Sequence, residues 1–441
     1  MFLKQPALIN IIGGFVFLFS CTATKPNQIM ENRDISFNAK VLPGDTPPDQ
    51  FLEKLLRQYP LYFDSILKYR AAWNVQIIYT QVNRKEDGTP GFEPHYFNID
   101  TAKYFYPAST VKLPVVLLAL QKLNELKQKG IDKNTSMITE KGQDWQTAVY
   151  NDPTAMDGRP SIAQYIKKIL MVSDNDAFNR LYEFLGQEYI NEQLHKKGYA
   201  DAQILHHLEI FLTEEQNRHT NPVKFLDDHN ELLYEQPAQN NLIQYGHRND
   251  FLGKGYYKGN QLINEPMNFS KKNRISLPDL NNILISLVFP EKVPPNQRFN
   301  ITDDDKQFVL KYMSQLPTES TFPPYGADTL NYWPTYGKKL LFGSTKEKLP
   351  NNIRIFNKEG DAYGHLLDVA YIVDFKNKIE FFLSAVIYCN ADGILNDDQY
   401  DYDKVGIPFM KNLGQVIYDY ELKRARKRSP DLSAFIFKYD K

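Results

Sequence analysis

Cysteine is nearly missing from this chain: 441 residues hold two, Cys21 and Cys389. A disulfide framework is thereby excluded, and Cys389, at the end of the apolar run 379–388, reads as a small buried hydrophobe. Charge of one sign is missing too. Against 52 Lys plus Arg stand 53 Asp plus Glu, so no basic field points to nucleic acid and no acidic excess points to disorder. There is no internal repeat and no low-complexity tract. No H-E-x-x-H and no Cys cluster suggests a metal, so neither metal nor cofactor is expected, and the lack of G-x-S-x-G leaves an α/β-hydrolase elbow unsupported.

What is present begins at the N-terminus. An apolar stretch from Ile9 to Phe19 follows Lys4 and ends at Ser20-Cys21. It falls short of the ~20 residues that a spanning helix needs and reads as an export signal over 1–20. Leu18-Phe19-Ser20-Cys21 resembles a bacterial lipobox, which implies lipidation at Cys21, an exported lipoprotein, and a periplasmic or outer-membrane location held by a lipid anchor. A plain signal peptide or an anchor helix is the alternative. Residues 21–48 are polar and aperiodic, as in a tether, and a catalytic domain is expected over 49–441.

Within that domain, residues 49–70 have helical spacing, and 73–82 and 93–99 read as paired strands around the turn Lys85-Glu86-Asp87-Gly88. The segment 109–129 is apolar almost all round in its first half, as in a helix buried on every side. Helices are expected over 161–170, 177–185, 277–288, 303–315 and 406–428. Strands are expected over 354–357, 365–375 and 379–388, the last two joined at Lys376-Asn377-Lys378. The implied fold class is α+β. An antiparallel sheet is built from both chain ends, about 49–108 and 338–441, around an inserted all-helical subdomain at about 109–337, with 200–272 as an extra insertion.

The chemistry centres on Ser109-Thr110-Val111-Lys112. S-x-x-K alone is a weak signal, since Ser65-Ile66-Leu67-Lys68 also fits, but Ser109 opens the buried helix. There a hydroxyl lies beside unpaired backbone N–H groups that can bind an oxyanion. Lys112, three residues on, shares its face, and a buried Lys can lose its proton and act as a base. Ser173-Asp174-Asn175 follows 64 residues downstream between two helices, and Lys358-Glu359-Gly360 starts a C-terminal strand region. Read singly, Ser173 and Asn175 are also helix caps and Lys358 a solvated strand end.

Together the three motifs resemble the S-x-x-K, S-D-N and K-T-G set of class A β-lactamases and penicillin-binding serine hydrolases. Tyr104 to Lys112 is similar to that family's approach to its nucleophile, and Lys358 to Tyr371 to its terminal sheet. The resemblance implies that Ser109 forms an acyl-enzyme with Lys112 as proton acceptor. Ser173 would pass a proton to the leaving nitrogen, and Asn175 would hold Lys112 and the substrate amide. Lys358 would attract a substrate carboxylate, and the amides of Ser109 and Asp361, after Gly360, would form the oxyanion hole.

Two departures stand out. Glu359 sits where the family has Thr or Ser, and its charge partly cancels Lys358 and repels an anionic substrate. The interval from Ser173 to Lys358 is long, which implies an insertion and leaves two candidates for the carboxylate that activates deacylating water, Glu209 and Glu265. Glu265-Pro266-Met267-Asn268 resembles the family's E-P-x-x-N but is a residue short. His206-His207 reads as loop or interface. The expected activity is slow hydrolysis of β-lactam amides by a monomer acting on a small amide or ester, with no nucleic-acid partner. A D-Ala-D-Ala peptidase or esterase acting on a peptidoglycan-like substrate, and a catalytically silent binding lipoprotein, are the alternatives.

Overall fold

Helices begin where apolar spacing begins, and proline decides where the first one breaks. The computed structural model describes residues 50–126 and 130–440; Cys21, the signal segment 1–20 and the tether 21–48 lie outside the described residues. The helix expected over 49–70 is two helices, α1 (Gln50–Leu56) and α2 (Pro60–Lys68). Pro60 lacks an N–H and fits only a first turn, so it starts a new helix rather than continuing the old one.

Strands β1 (Gln76–Arg84) and β2 (Pro90–Phe97) form an antiparallel hairpin, in register from Ile77 opposite Phe97 to Arg84 opposite Pro90. At its turn Gly88 takes φ 81°, and the Asp87 carboxylate accepts the Thr89 N–H at 2.9 Å. A 3-10 turn over Ala108–Val111 leads into α3 (Lys112–Leu126), buried at every position from Lys112 to Gln121.

Next come β3 (Ser136–Thr139), α4 (Ile162–Val172), α5 (Asn175–Leu185), α6 (Gln187–Lys196) and the one-turn α7 (Glu214–Asn217). Five short strands follow: β4 (Val223–Leu226), β5 (Leu232–Gln236), β6 (Phe251–Leu252), β7 (Gly255–Lys258) and β8 (Gln261–Ile263). The chain continues through β9 (Met267–Asn268), α8 (Leu277–Val288) and α9 (Asp303–Ser314). It closes with β10 (Ile353–Ala362), β11 (His365–Asp374), β12 (Ile379–Tyr388), β13 (Ile394–Leu395) and α10 (Ile407–Lys423).

The fold is α+β, and its main sheet runs β10-β11-β12-β1-β2, all antiparallel, with strands from both chain ends. Every residue of β11 is buried, because helices cover both faces. Along β12, Phe381, Leu383, Ala385 and Ile387 join the core cluster holding Leu52, Phe63 and Leu413 from α1, α2 and α10. Phe382 and Val386 point the other way, to the cluster holding Leu117 and Leu284 from α3 and α8. This is the period-2 alternation of a strand between two apolar layers.

The inserted subdomain is helical where it packs around α3 and is not all-helical at its margins. Among the described residues, β3-β4-β5 form one small sheet, β6 pairs with β9, and β7 and β8 join β13 in another. Strands of two to five residues are too short to print a period in the sequence, so 200–272 reads as loop. The expected helix over 406–428 stops at Lys423. Arg424 leaves helical geometry at ψ 125°, and the Arg424 and Arg426 guanidiniums turn back onto the buried Glu421 carboxylate. Cys389 is free and buried.

Candidate active site

The position of Ser109 is set by a backbone that L-residues rarely adopt. Ala108 has φ 47° and follows Pro107 at φ −75°, ψ −8°, so the chain turns sharply as it enters the 3-10 turn carrying Ser109. Ser173, the C-cap of α4, holds φ 58°, and Glu209 holds φ 62°. A non-glycine residue there costs about 1–3 kcal/mol. Three such residues converge here, so packing elsewhere maintains a geometry that the local chain resists.

Lys112 joins the three positions. Its Nζ lies 3.0 Å from Ser109 Oγ, 2.5 Å from the Ser173 carbonyl, 3.2 Å from Ser173 Oγ and 2.6 Å from Asn175 Oδ1. The residue is fully buried. Burial, then the neighbouring Lys358 charge, pushes its amine well below the ordinary lysine range, and the acidic groups of Glu359, Asp174 and Glu209 only partly oppose this. An amine shifted toward its neutral form beside a hydroxyl is equipped to accept that hydroxyl's proton. Ser65 and Lys68, the competing S-x-x-K, lie on α2, with Lys68 exposed.

Lys358 approaches from β10. Its Nζ contacts Ser173 Oγ at 2.9 Å, the Glu359 carbonyl at 3.0 Å and the Glu359 carboxylate at 2.9 Å. Burial pushes Glu359 up, but the Lys358 and Lys339 ammoniums outweigh it and hold the carboxyl down to about 2. Glu359 is thus an ionised partner of Lys358. Gly360 is dictated by contact: a Cβ on it would stand 2.8 Å from the Ser109 amide nitrogen. Because β10 is the sheet edge, its backbone at Gly360 lies directly against the turn that carries Ser109.

The two candidate carboxylates separate. Glu209 Oε2 accepts from Asn175 Nδ2 at 2.6 Å, so Asn175 links Lys112 to Glu209 through its two amide atoms. Glu265 is exposed between β8 and β9, and the structure gives it no hydrogen bond or ion pair with any site residue. Of the two candidates, the structure brings Glu209 to Asn175 and leaves Glu265 apart from the other expected site residues.

Asn175 was an expected site residue, but several residues around it escaped the sequence reading. Asn175, Asn179 and Glu183 form one i, i+4 stripe on α5, and all three hold the loop that carries Glu209. Asn179 donates to the Leu208 carbonyl at 3.0 Å and accepts its N–H at 2.9 Å. Glu183 binds His207 Nε2 and accepts the Asn221 N–H at 2.5 Å. His207 is therefore a buried loop anchor, and His206 stacks on Tyr106. Buried polar residues on the apolar face of a helix were the available signal. On the other side, Lys339 pairs with Asp361, while Lys338 donates to Asn357 Oδ1 at 2.7 Å and Asn357 to Asp368 at 2.7 Å. Asp368 in turn accepts the Lys339 and Leu340 amides, fixing the segment beside β10. Among the described residues no group of three or more His, Cys, Asp or Glu is placed to hold a metal ion.

A model described as the beta-lactamase enzyme family matches residues 63–420. Similar solved structures include the class A beta-lactamase of Clostridium kluyveri, 14% identical, with 82% of this chain and 98% of that one covered at a TM-score of 0.45. A beta lactamase of Xanthomonas campestris is 12% identical, with 84% and 97% covered at 0.46. No curated protein sequence matches the chain.

Proposed function

This chain belongs to the beta-lactamase enzyme family, and from that premise we propose that it is a serine hydrolase of the class A type that opens amide or ester carbonyls through an acyl-enzyme at Ser109. The observation that carries the reading is the buried Lys112 amine, 3.0 Å from Ser109 Oγ and surrounded by uncharged oxygens. Ser109 Oγ attacks the carbonyl carbon as its proton passes to Lys112 Nζ. The oxyanion collects at the Ser109 and Asp361 amides. The C–N or C–O bond then breaks, and the leaving atom takes a proton through Ser173. In the second half Glu209 accepts a proton from water, whose oxygen attacks the ester carbon; the bond from that carbon to Ser109 Oγ breaks, and the proton held by Glu209 passes to Oγ and restores the hydroxyl.

β-Lactam amides fit this chemistry, and slow opening of them is the specific activity proposed. Intact-mass time courses with a penicillin test it. The wild type should show an adduct that decays. Ser109→Ala should show none while remaining folded, and Glu209→Gln should hold the adduct on the order of 100 times longer. An unchanged adduct in Ser109→Ala would remove the assignment.

A further inference from the structure

Lys358 has no donor left for a substrate. An ammonium carries three N–H bonds, and three acceptors surround this one: Ser173 Oγ, the Glu359 carbonyl and the Glu359 carboxylate. Its side chain is 1% exposed. The second cation at this end, Lys339, is 8% exposed and paired with Asp361. The reachable groups are the acids: Glu359 is 12% exposed and Asp361 50%. An ionised carboxylate offers about four lone-pair sites, so the hydrogen-bonding capacity left open here is that of acceptors.

An aromatic wall flanks these acids. Tyr336 reaches the Val172 carbonyl, next to Ser173, at 3.4 Å. Its ring lies 5.5 Å from Tyr332, which lies 5.0 Å from Tyr325. Burial, then the negative charge of Glu359, raises the Tyr336 phenol, and Asp361 adds to this. Tyr332 is likewise raised by burial and then by Asp174. Partly exposed rings in a negative field attract cations over their faces.

We propose that this end of the cleft receives a cationic amine on the leaving-group side of the substrate and disfavours a carboxylate there. The assignment rests on the hydrolase reading, in which Ser173, beside Lys358, serves the leaving group. An ammonium would lie among spare carboxylate oxygens and tyrosine faces, whereas a carboxylate would meet Glu359 and Asp361 with no uncommitted N–H of Lys358 to bind.

Three thioesters of one acyl group test this, with mercaptoacetate, mercaptoacetamide or (2-mercaptoethyl)trimethylammonium as leaving thiol, the last a quaternary cation that cannot rearrange onto its own nitrogen. Thiol release gives kcat/KM for each, divided by its hydroxide-catalysed rate to remove intrinsic leaving ability. The ammonium substrate should exceed the carboxylate one by about 10-fold or more, with the amide between. The preference should shrink several-fold in Asp361→Asn, which keeps the side chain's shape at a half-exposed position, and further in Glu359→Gln. A carboxylate substrate processed as fast as or faster than the ammonium one overturns the inference and leaves the hydrolase reading standing. Release from none of the three, with no mass adduct at Ser109, overturns the hydrolase reading and the inference with it.

Discussion

Lys112 and Lys358 are both buried and both touch the hydroxyl of Ser173, at 3.2 Å and 2.9 Å, yet their surroundings prepare them for opposite work. The bonds of Lys112 run to a hydroxyl pair, a carbonyl and an amide oxygen, none of them charged. Lys358 has the Glu359 carboxylate at 2.9 Å. Burial lowers both amines, but for Lys358 the adjacent carboxylate pulls back toward the charged form. Desolvation without a counter-ion makes a lysine a base, and desolvation with one keeps it a cation.

Swapping each lysine for a residue that cannot deprotonate gives the sharpest contrast. Lys112→Arg fixes a permanent charge at that position and loses the base, so the acylation rate in stopped-flow should fall by about 100- to 10,000-fold. A loss under 10-fold would mean that Lys112 is not the proton acceptor.

A pH titration of the same acylation rate should show the next largest effect. Lys112 works only when neutral, and its folded pKa lies well below the ordinary 10.5. The rate should therefore be level through the alkaline range and fall about 10-fold for each pH unit below that lowered pKa. A rate still climbing with a midpoint near 10.5 would erase the difference between the two lysines.

Lys358→Arg should be the mildest change. A guanidinium retains the charge and can pair with Glu359, so kcat/KM should drop by about 10-fold or less. A loss equal to that of Lys112→Arg would show that the two lysines share one role.

Much of the fold and part of the site were legible in the linear order. β12 reads as one apolar run because two helical layers cover it, and α3 reads as a helix buried on all sides because it is one. The loop that holds Glu209 was not legible. Its supports, Asn179, Glu183, His207 and Asn217, lie on α5, on α7 and in the loop between, and their pairing depends on contacts across up to 38 residues of chain.

The sequence by itself determined which residue types the proposed chemistry draws on and their order along the chain, because S-x-x-K on a helix start places its Ser and Lys one turn apart whatever the rest of the fold does. It also determined that a carboxylate sits one residue after Lys358. Only the tertiary structure decided which S-x-x-K is buried, that Glu209 rather than Glu265 meets Asn175, and that Glu359 turns onto Lys358 and occupies its third N–H. Spacing along a chain constrains neighbours within a turn of helix or a strand pair. Which distant groups share a desolvated volume, and so whether an amine is a base or a paired cation, is settled by packing.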